Sequence, residues 1–327
     1  MKLIVNDIQL EVEDTGGAGT PVLLIMGLGM QLTAWPPAMV QGLVDAGYRV
    51  LRLDNRDIGL SAHFDHLRTP NLLLAALKHR MGIAIKPPYS LQDMAADALG
   101  VLDALGIARA HIIGASMGGM IAQRLALLAP QRTLSLTSIM STSGARGLPQ
   151  AKPAVMRALM SRPKATDTSA LIAHGIRLFN IIGSPGFPTD PQQMHDRVAA
   201  SLARSNHPAG SLRQMVAIAA DSTRAELLRS VRCPTLVLHG KADPLVPYAC
   251  GEDTARRIPG AQLVGINGMG HDLAPGVIAA LLPHMLPFLA AHPPASSPGS
   301  PSTSPSSSPP SSILTSSSAS LDTHPAT

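Results

Sequence analysis

The 327-residue sequence contains little cysteine, few aromatic residues and little charge, and each shortage argues against a class of protein. Its two cysteines, Cys233 and Cys250, lie 17 residues apart and fit neither a disulfide framework nor a zinc knuckle. We therefore expect reduced thiols, no metal site and a cytoplasmic protein. Aromatic residues make up 2% of the chain, too few for the stacking platforms that bind single-stranded nucleic acid. We predict no nucleic-acid partner.

Long apolar runs are also missing. The longest apolar stretches, residues 22–30 and 277–290, are short or are interrupted by Gly, Pro and His. Neither reaches the roughly 20 apolar residues of a membrane-spanning helix. The N-terminal segment soon turns acidic and lacks a small-residue cleavage site, so we predict no signal peptide. Hydrophobic residues still make up 45% of the chain, which is enough for a large buried core with no membrane span.

The net charge of +5 comes from one region. Residues 145–225 hold ten lysines and arginines but only four acidic residues, whereas the last 36 residues hold one acid and the rest of the chain holds 16 charges of each sign. We interpret the excess as a solvated helical surface, because long side chains can cover apolar groups and keep their charge in water. The alternative is that it attracts anionic substrates or a membrane surface.

Residues 1–291 alternate between short apolar runs and longer segments with helical periodicity, which is typical of a mostly parallel α/β sheet with crossover helices. Strands are predicted at residues 3–12 (a strand or a hairpin), 22–26, 48–53, 110–114, 134–139, 235–239 and 262–266. Helices are predicted at residues 37–46, 90–105 (capped by Ser90), 116–128, 247–258 and 273–291.

The strand pattern stops between about residues 144 and 224, where helical segments separated by prolines replace it. By analogy with other α/β folds, we predict a helical cap inserted over the edge of the sheet. The predicted domains are a core in two parts (1–144 and 226–291), the cap (145–225) and a tail (292–327). The tail contains 14 serines and 8 prolines with almost no charge, so we predict that it is disordered.

The strongest chemical signal is Gly114-Ala115-Ser116-Met117-Gly118, a G-x-S-x-G motif. In this motif the serine stands on a tight turn between a strand and a helix, and the flanking glycines let backbone segments approach each other. The predicted strand and helix on either side supply that context, and a helix N-terminus favours negative charge near the serine. We predict that Ser116 is a nucleophile. The alternative is a glycine-rich turn without chemistry.

A serine nucleophile needs a base, and the base needs an acid that orients it. In this type of fold the acid follows the serine in the chain, and the histidine comes last. Asp243 follows the strand at 235–239, and His271 follows the strand at 262–266. Open sheets place their active sites beyond the carboxyl ends of their strands, so we predict a Ser116–His271–Asp243 catalytic triad.

Other histidines and acids fit less well. His111 lies within a predicted strand, where a core histidine is expected, and His239 is expected to pack locally. Asp272 adjoins His271 on its loop but is expected to point elsewhere. Asp221, late in the cap, is the main rival to Asp243.

Acyl chemistry also needs an oxyanion hole, which consists of two N–H donors aimed at the developing negative charge. We predict one donor at the backbone of Met117, directly after the nucleophile. The other is predicted at the backbone of Leu28, because Gly27 and Gly29 leave its amide free to turn inward. An ordinary glycine turn is the alternative at Leu28.

Together these motifs resemble the alpha/beta-hydrolase superfamily over nearly all of residues 1–291. The segment DNRDIGLS (54–61) is similar to the family's D-x-R-x-x-G-x-S turn, in which we expect Arg56 and Asp57 to pair and hold the turn. MGLGMQLTAW, RLDNRD and GMGHD are most similar to the branch of aclacinomycin methylesterase-like carboxylic-ester hydrolases. Met26 stands where many members carry a histidine before glycine, so we expect the oxyanion loop to differ in detail.

The triad and the resemblance predict a serine esterase that cleaves carboxylic esters of small to medium size through an acyl-enzyme intermediate. Acyl transfer, perhydrolysis and C–C bond hydrolysis are alternatives for the same triad, and a non-catalytic ligand-binding protein of this fold is a remote one. The sequence contains no phosphate-binding loop, dinucleotide motif or zinc-spaced cluster, so we predict no cofactor and no metal. The expected partner is a small-molecule ester, and the oligomeric state stays open.

The cap is expected to line an apolar acyl or alcohol pocket while most of its arginines and lysines point to water. The apolar faces predicted to line the pocket contain Val155, Leu159, Leu171, Ile176, Leu178 and Ile181.

Overall fold

A central sheet organises the protein. This computed structural model describes residues 1–161 and 163–294. The strands are β1 (Lys2–Val5), β2 (Ile8–Asp14), β3 (Pro21–Ile25), β4 (Arg49–Leu53), β5 (Ala110–Ala115), β6 (Thr133–Ile139), β7 (Thr235–Gly240) and β8 (Gln262–Ile266). The helices are α1 (Pro37–Asp45), α2 (Leu72–Arg80), α3 (Leu91–Ala104), α4 (Met117–Leu128), α5 (Pro153–Leu159), α6 (Thr168–Ile182), α7 (Pro191–Arg204), α8 (Pro208–Ala220), α9 (Arg224–Leu227), α10 (Tyr248–Arg257) and α11 (Pro275–Ala290). Short 3-10 helices lie at Leu32–Ala34, Pro130–Arg132 and Leu228–Ser230.

The order of the strands creates a crevice at the carboxyl end of the sheet. The order is β1-β2-β4-β3-β5-β6-β7-β8. Strands β3 to β8 pair in parallel, and β1 and β2 extend one edge in antiparallel. The chain passes from β3 to β4 on one side and then crosses to β5 on the other side of β3. In open α/β sheets, ligands bind beyond the carboxyl ends of the strands at such a switch point.

Alternate residues of the central strands fill two hydrophobic cores. Leu23 and Ile25 of β3 pack with α3 and α4 on one face of the sheet, whereas Val22 and Leu24 pack with α1 and α11 on the other face. Successive side chains of a strand point to opposite faces, so a strand that is apolar at every position is buried on both. The predicted alpha/beta-hydrolase architecture, a mostly parallel sheet with flanking helices, is confirmed.

Predicted and observed elements of the core agree closely, apart from helix α2. Residues 3–12 form part of a hairpin, because Asn6 and Asp7 adopt φ values of 48° and 63° at its turn. Helix α2 is absent from the predicted elements, because its apolar residues follow one another without the spacing of an amphipathic helix. Helix α3 begins after Ser90 as predicted, and Ser90 forms a capping box with Asp93.

Helices α5–α9 lie between β6 and β7 in the chain and are called the insertion below. They coincide with the helical region predicted as a cap, and the domain boundaries at 145 and 225 stay predictions. Helix α6 packs on α7, and α8 packs on α2. Beyond residue 294 the predicted tail lies outside the described residues. Within the described part of the chain, no helix has both the length and the apolar content needed to span a bilayer.

The positive charges of the insertion divide into exposed and inward-facing groups. The exposed ones are Arg146, Lys152, Arg157, Lys164 and Arg177. By contrast, Arg204 pairs with the buried Asp54 at 2.7 Å, and Arg213 pairs with the buried Asp57 at 2.6 Å. Arg224 is also buried. Most of the described charges thus point to water, as expected, and this second group is the exception, because carboxylates buried in the core require cationic partners.

The turn at residues 54–61 is held by long-range ion pairs. Arg56 pairs with Asp97 of α3 at 2.6 Å, and Asp57 pairs with Arg213 of α8. The expected pairing of Arg56 with Asp57 is wrong, because Asp57 adopts a φ of 72° and binds the insertion instead. Burial by itself raises the pKa of Asp57, but hydrogen bonds, chiefly from Arg213, lower the pKa below its ordinary value.

Candidate active site

Ser116 lies on a strained turn between β5 and α4. Its φ is 55° and its ψ is −120°, a combination that costs free energy in a residue other than glycine. A Cβ atom at Gly114 would lie 2.1 Å from the carbonyl oxygen of Gly118, and one at Gly118 would lie 1.9 Å from the carbonyl oxygen of Ile25. Both positions therefore require glycine. The turn holds Ser116 at the carboxyl end of β5, beside the switch point of the sheet.

The structure brings Ser116 together with His271, from the loop after β8, and Asp243, from the loop after β7. His271 Nε2 lies 3.0 Å from Ser116 Oγ, and His271 Nδ1 lies 2.7 Å from Asp243 Oδ2. The second carboxylate oxygen, Asp243 Oδ1, accepts hydrogen bonds from the amides of Leu245 and Val246 at 2.9 and 2.8 Å. An ionised carboxylate can only accept, so Nδ1 of His271 donates and Nε2 is left to accept a proton from the serine.

The insertion fixes the loop that carries His271. The amide of His271 donates to the carbonyl oxygen of Ile182, the last residue of α6, at 2.7 Å. The amide of Gly270 donates to the hydroxyl of Ser184 at 2.8 Å. Because these bonds hold the backbone at His271 and at the residue before it, the position of the ring depends on the insertion as well as on the sheet.

The two residues predicted to supply oxyanion amides flank Ser116. Met117 is the first residue of α4, and the first N–H groups of a helix have no partner within that helix. Leu28 follows Gly27, where a Cβ atom would lie 3.1 Å from the Cβ of Ser116. Leu28 also lines the cavity that contains Ser116. Both residues are thus close to Ser116 in the chain or in space, and their role as oxyanion donors stays a prediction.

Two amide side chains hold the loop at residues 26–29, the predicted oxyanion loop, in place. Gln214 of α8 accepts a hydrogen bond from the Gly29 amide at 2.9 Å and donates to the carbonyl oxygen of Arg56 at 3.0 Å. Asn55 donates to the carbonyl oxygen of Met26 at 2.9 Å. These contacts support a loop that lacks the histidine common at position 26 in the family. No local signal marks Gln214, which is 185 residues from Gly29 in the chain.

A cavity of about 440 Å³ opens beside Ser116 and His271. The side chains that the insertion contributes to its apolar wall are Met156, Leu159, Leu178, Phe179, Ile182, Met215 and Ile218. The predicted apolar lining is therefore correct at Leu159 and Leu178. The other residues predicted to line the pocket lie outside its lining: Val155, Leu171, Ile176 and Ile181.

The rival histidines are held by core contacts. His111 Nδ1 lies 2.8 Å from Ser135 Oγ, and burial lowers the pKa of His111 to about 4. His239 Nε2 donates to the carbonyl oxygen of Val246 at 2.8 Å, and burial lowers the pKa of His239. His239 Nε2 also lies 3.6 Å from Asp243 Oδ2. Both histidines match their predicted roles as structural residues.

The rival acids have different partners. Asp221 pairs with Arg124 and Arg224, far along the chain from the His271 loop. Asp272 accepts a hydrogen bond from the Ser184 hydroxyl, and burial raises the pKa of Asp272. The carboxyl group of Asp272 thus bonds to Ser184 and not to His271, in line with the expectation that it points elsewhere, and Asp272 lines the same cavity as Ser116.

One cluster in the described residues has metal-binding side chains: His63, Asp65 and His207. The two imidazoles stack with 3.9 Å between their centroids and 8° between their planes. A metal ion lies near the plane of each imidazole that binds it, and two stacked parallel rings cannot both satisfy this for one ion. The guanidinium of Arg213, 3.1 Å from His207 Nε2, further disfavours a cation. The cluster does not fit a metal site.

The family model described as alpha/beta hydrolase fold matches residues 20–274. The chain therefore belongs to the alpha/beta hydrolase family, as its sequence motifs predict. Among its relatives, rhodomycin D methylesterase DnrP from Streptomyces peucetius is 32% identical over 299 residues, covering 83% of this chain and 92% of that protein. The predicted resemblance to methylesterase-like enzymes is confirmed, and the protein is classed as a carboxylic-ester hydrolase.

Other similar proteins carry out related hydrolyses or share the fold. The 2-hydroxy-6-oxononadienedioate/2-hydroxy-6-oxononatrienedioate hydrolase of Cupriavidus pinatubonensis is 28% identical over 273 residues, covering 81% of this chain and 85% of that protein. The crystal structure of an enol-lactonase from Burkholderia xenovorans LB400 superposes with a TM-score of 0.66 at 21% identity, covering 89% of this chain and 100% of that chain. At 21% identity, the similarity to the enol-lactonase structure supports the fold alone.

Proposed function

We propose that this protein hydrolyses carboxylic esters of small to medium size, with Ser116 as nucleophile, His271 as general base and Asp243 as orienting acid. One observation carries the proposal: a hydrogen-bonded chain from Ser116 Oγ through His271 to Asp243, with distances of 3.0 and 2.7 Å, at the wall of a cavity. The methylesterase named among its relatives supports an ester bond as the target.

The reaction follows from this arrangement. His271 Nε2 takes the hydroxyl proton of Ser116 while Oγ bonds to the ester carbonyl carbon and the carbonyl oxygen gains the electron pair. Collapse of the tetrahedral intermediate breaks the bond to the alcohol, which leaves with the proton from His271. Water then attacks the acyl-enzyme with the same base, and the carboxylic acid is released. Asp243 stabilises the imidazolium that forms in both halves.

The amides of Leu28 and Met117 are proposed to hold the oxyanion. Their value lies in stabilising charge that exists only in the transition state and the intermediate, since such donors require no reorganisation when the charge appears. The N-terminus of α4 adds a favourable dipole at the same position. Removal of one such donor typically lowers kcat by about 10²- to 10³-fold.

The cavity supports the proposed substrate size. Its volume of about 440 Å³ lies within the range of about 300–1,000 Å³ for small-molecule sites. Apolar side chains from the core and from the insertion make up most of its wall, which favours an apolar acyl or alcohol group near the scissile bond.

Hydrolysis of a C–C bond beside a carbonyl group is a second candidate. The relative from Cupriavidus pinatubonensis, 28% identical over 81% of this chain, favours it over acyl transfer and perhydrolysis. The same serine and histidine would be required, so the two candidates differ in the leaving group and not in the residues that act.

Hydrolysis of a panel of 4-nitrophenyl esters, methyl esters and lactones tests the proposal, alongside one vinylogous keto acid for the second candidate. Ser116→Ala should lower turnover by about 10⁴-fold or more, because triad residues act as a unit, while its circular dichroism spectrum matches the parent. A fluorophosphonate probe should label the parent and not the variant. Comparable ester hydrolysis by Ser116→Ala would contradict the assignment of the nucleophile.

A further inference from the structure

Arg197 of α7 differs from the other inward-facing arginines of the insertion. Those arginines each have a carboxylate partner, as the pairs Arg204–Asp54, Arg213–Asp57 and Arg224–Asp221. Arg197 is half-buried and lines the same cavity as Ser116. Among the residues that the structure describes, no oxygen atom accepts a hydrogen bond from its guanidinium, and no carboxylate forms an ion pair with it.

The aromatic ring of Phe179 holds Arg197 in position. The guanidinium carbon lies 5.0 Å from the centroid of that ring, which is within the range of a cation–π contact. Burial lowers the pKa of Arg197, and the charge of Asp272 opposes this shift. A guanidinium remains protonated under these conditions. A fixed positive charge with unused N–H donors therefore lies at a cavity whose lining is apolar except for Ser116, His271 and Asp272.

Asp272 does not neutralise this charge through a direct contact. Its carboxyl group accepts a hydrogen bond from Ser184, on the side of the insertion that holds the His271 loop. Burial raises the pKa of Asp272, so the carboxyl group keeps its proton more readily than an exposed one. The two side chains share the cavity wall without forming an ion pair, which leaves the guanidinium donors available to a ligand.

We propose that Arg197 binds a carboxylate of the substrate, so that the preferred esters carry a free carboxylate in addition to the scissile ester. This inference rests on the proposed function of Ser116. A desolvated charge costs free energy until it is paired, and the planar guanidinium fork matches a carboxylate through two parallel hydrogen bonds. The ester group reaches Ser116 while the apolar wall contacts the carbon chain between the two groups.

This inference changes the interpretation of the insertion's charge. Its exposed lysines and arginines are solvated, as the sequence predicts, but Arg197 confers selectivity from inside the cavity. Salt should therefore have a weak effect, because a buried pair is screened much less than charges on the surface. The anionic preference comes from one side chain and not from the summed field of the region.

The first test compares kcat/KM for mono(4-nitrophenyl) glutarate with that for the neutral 4-nitrophenyl butyrate. Arg197→Met should lower the anionic-to-neutral ratio by about 10- to 100-fold, mainly through KM. Arg197→Lys, which keeps the charge and loses the fork, should recover part of it. Arg157→Met, which removes an exposed charge of the same insertion, is the matched control and should leave the ratio within about twofold.

Either of two results would overturn the inference. One is an anionic-to-neutral ratio that stays unchanged in Arg197→Met both for this pair and for the second pair described below. The other is an equal fall of the ratio in Arg157→Met, which would assign the preference to the surface field. A second substrate pair, 4-acetoxybenzoate and phenyl acetate, carries the carboxylate on the alcohol side. The pair whose ratio falls in Arg197→Met identifies the side of the ester that reaches the guanidinium.

A binding measurement separates this inference from the proposed function. Calorimetric titration of monomethyl glutarate, with dimethyl glutarate as the neutral control, is carried out on Ser116→Ala with and without Arg197→Met. The additional substitution should weaken binding of the monoanion at least tenfold and affect the neutral diester much less. Equal binding of the monoanion to both variants would refute the carboxylate site. If the parent protein hydrolysed none of the esters, the proposed function would be contradicted instead. The calorimetric result would still decide whether Arg197 binds a carboxylate.

Discussion

Replacing Asp243 with asparagine keeps the shape of the side chain and changes the proton on His271. In the native protein, Asp243 Oδ1 accepts the amides of Leu245 and Val246, and Oδ2 accepts from His271 Nδ1 at 2.7 Å. In asparagine, only the carbonyl oxygen can take the place of Oδ1, because that position accepts two hydrogen bonds from backbone amides. The new NH₂ group must then face His271 Nδ1, which has to accept, so the ring proton moves to Nε2.

A proton on Nε2 prevents His271 from accepting the hydroxyl proton of Ser116, which lies 3.0 Å away. The same tautomer exchange lowers kcat by about 10⁴-fold in the well-studied serine proteases, and about 1.4 kcal/mol per tenfold makes this about 5.5 kcal/mol of transition-state free energy. We expect a loss of that order in kcat for 4-nitrophenyl butyrate. The two backbone hydrogen bonds are kept, so the melting temperature should change little.

The same substitution at three other aspartates provides the controls for Asp243→Asn. Asp103→Asn, on the surface beside Arg132 and 56% exposed, should leave kcat unchanged. Asp221→Asn should lower stability more than activity, because two arginines lose their partner. Asp272→Asn should cost far less kcat than Asp243→Asn. A kcat within tenfold of the parent for Asp243→Asn, combined with a large loss in either Asp221→Asn or Asp272→Asn, would refute the reasoning.

Three further predictions concern other titrating or buried groups. His271→Ala should lower kcat for ester hydrolysis by about 10⁴-fold or more, because the residues of a triad act as a unit, and comparable activity in this variant would contradict the assignment of His271 as the base. Arg213→Met should lower the free energy of unfolding in urea by about 3–5 kcal/mol, because it leaves Asp57 buried without its ion pair; a loss below 1 kcal/mol would contradict this. Burial lowers the pKa of His111 to about 4 from its ordinary 6.5. As the pH falls, His111 is therefore protonated in the unfolded state before it is protonated in the folded state. Stability should therefore fall as the pH drops from about 6.5 towards 4, by up to about 1.4 kcal/mol per pH unit, and His111→Gln should reduce this slope.

The arrangement of the proposed triad could be predicted because each of its residues follows a strand with a strong local signal. The apolar run before Ser116 and the glycines around it specify the turn, since any side chain at Gly114 or Gly118 would collide with backbone. Asp243 and His271 come after strands that pair in parallel beside each other. Parallel pairing brings the carboxyl ends of strands to one edge, so chain order alone predicts their proximity.

The contacts of the insertion could not be predicted in the same way. The partners of Arg213 and Gln214 are separated from them by 156 and 185 residues, and the side of a helix that faces the core is set by tertiary packing. Arg197 has the sequence signal of an ordinary surface arginine in an amphipathic helix. Only the shape of the cavity distinguishes it from the exposed Arg157 and Arg177.

The bonds from the end of α6 to the His271 loop have a consequence for grafting experiments. The His271 amide is fastened to the carbonyl of Ile182, the Gly270 amide to Ser184, and the Gly29 amide to Gln214. Hydrogen bonds thus join the insertion both to the loop that carries His271 and to the loop that carries Gly29. A chimera that imports foreign helices to alter substrate choice must therefore transplant or rebuild these three anchorage points. One that replaces them without doing so should bind its new ester and turn it over slowly, because the imported helices no longer brace the imidazole.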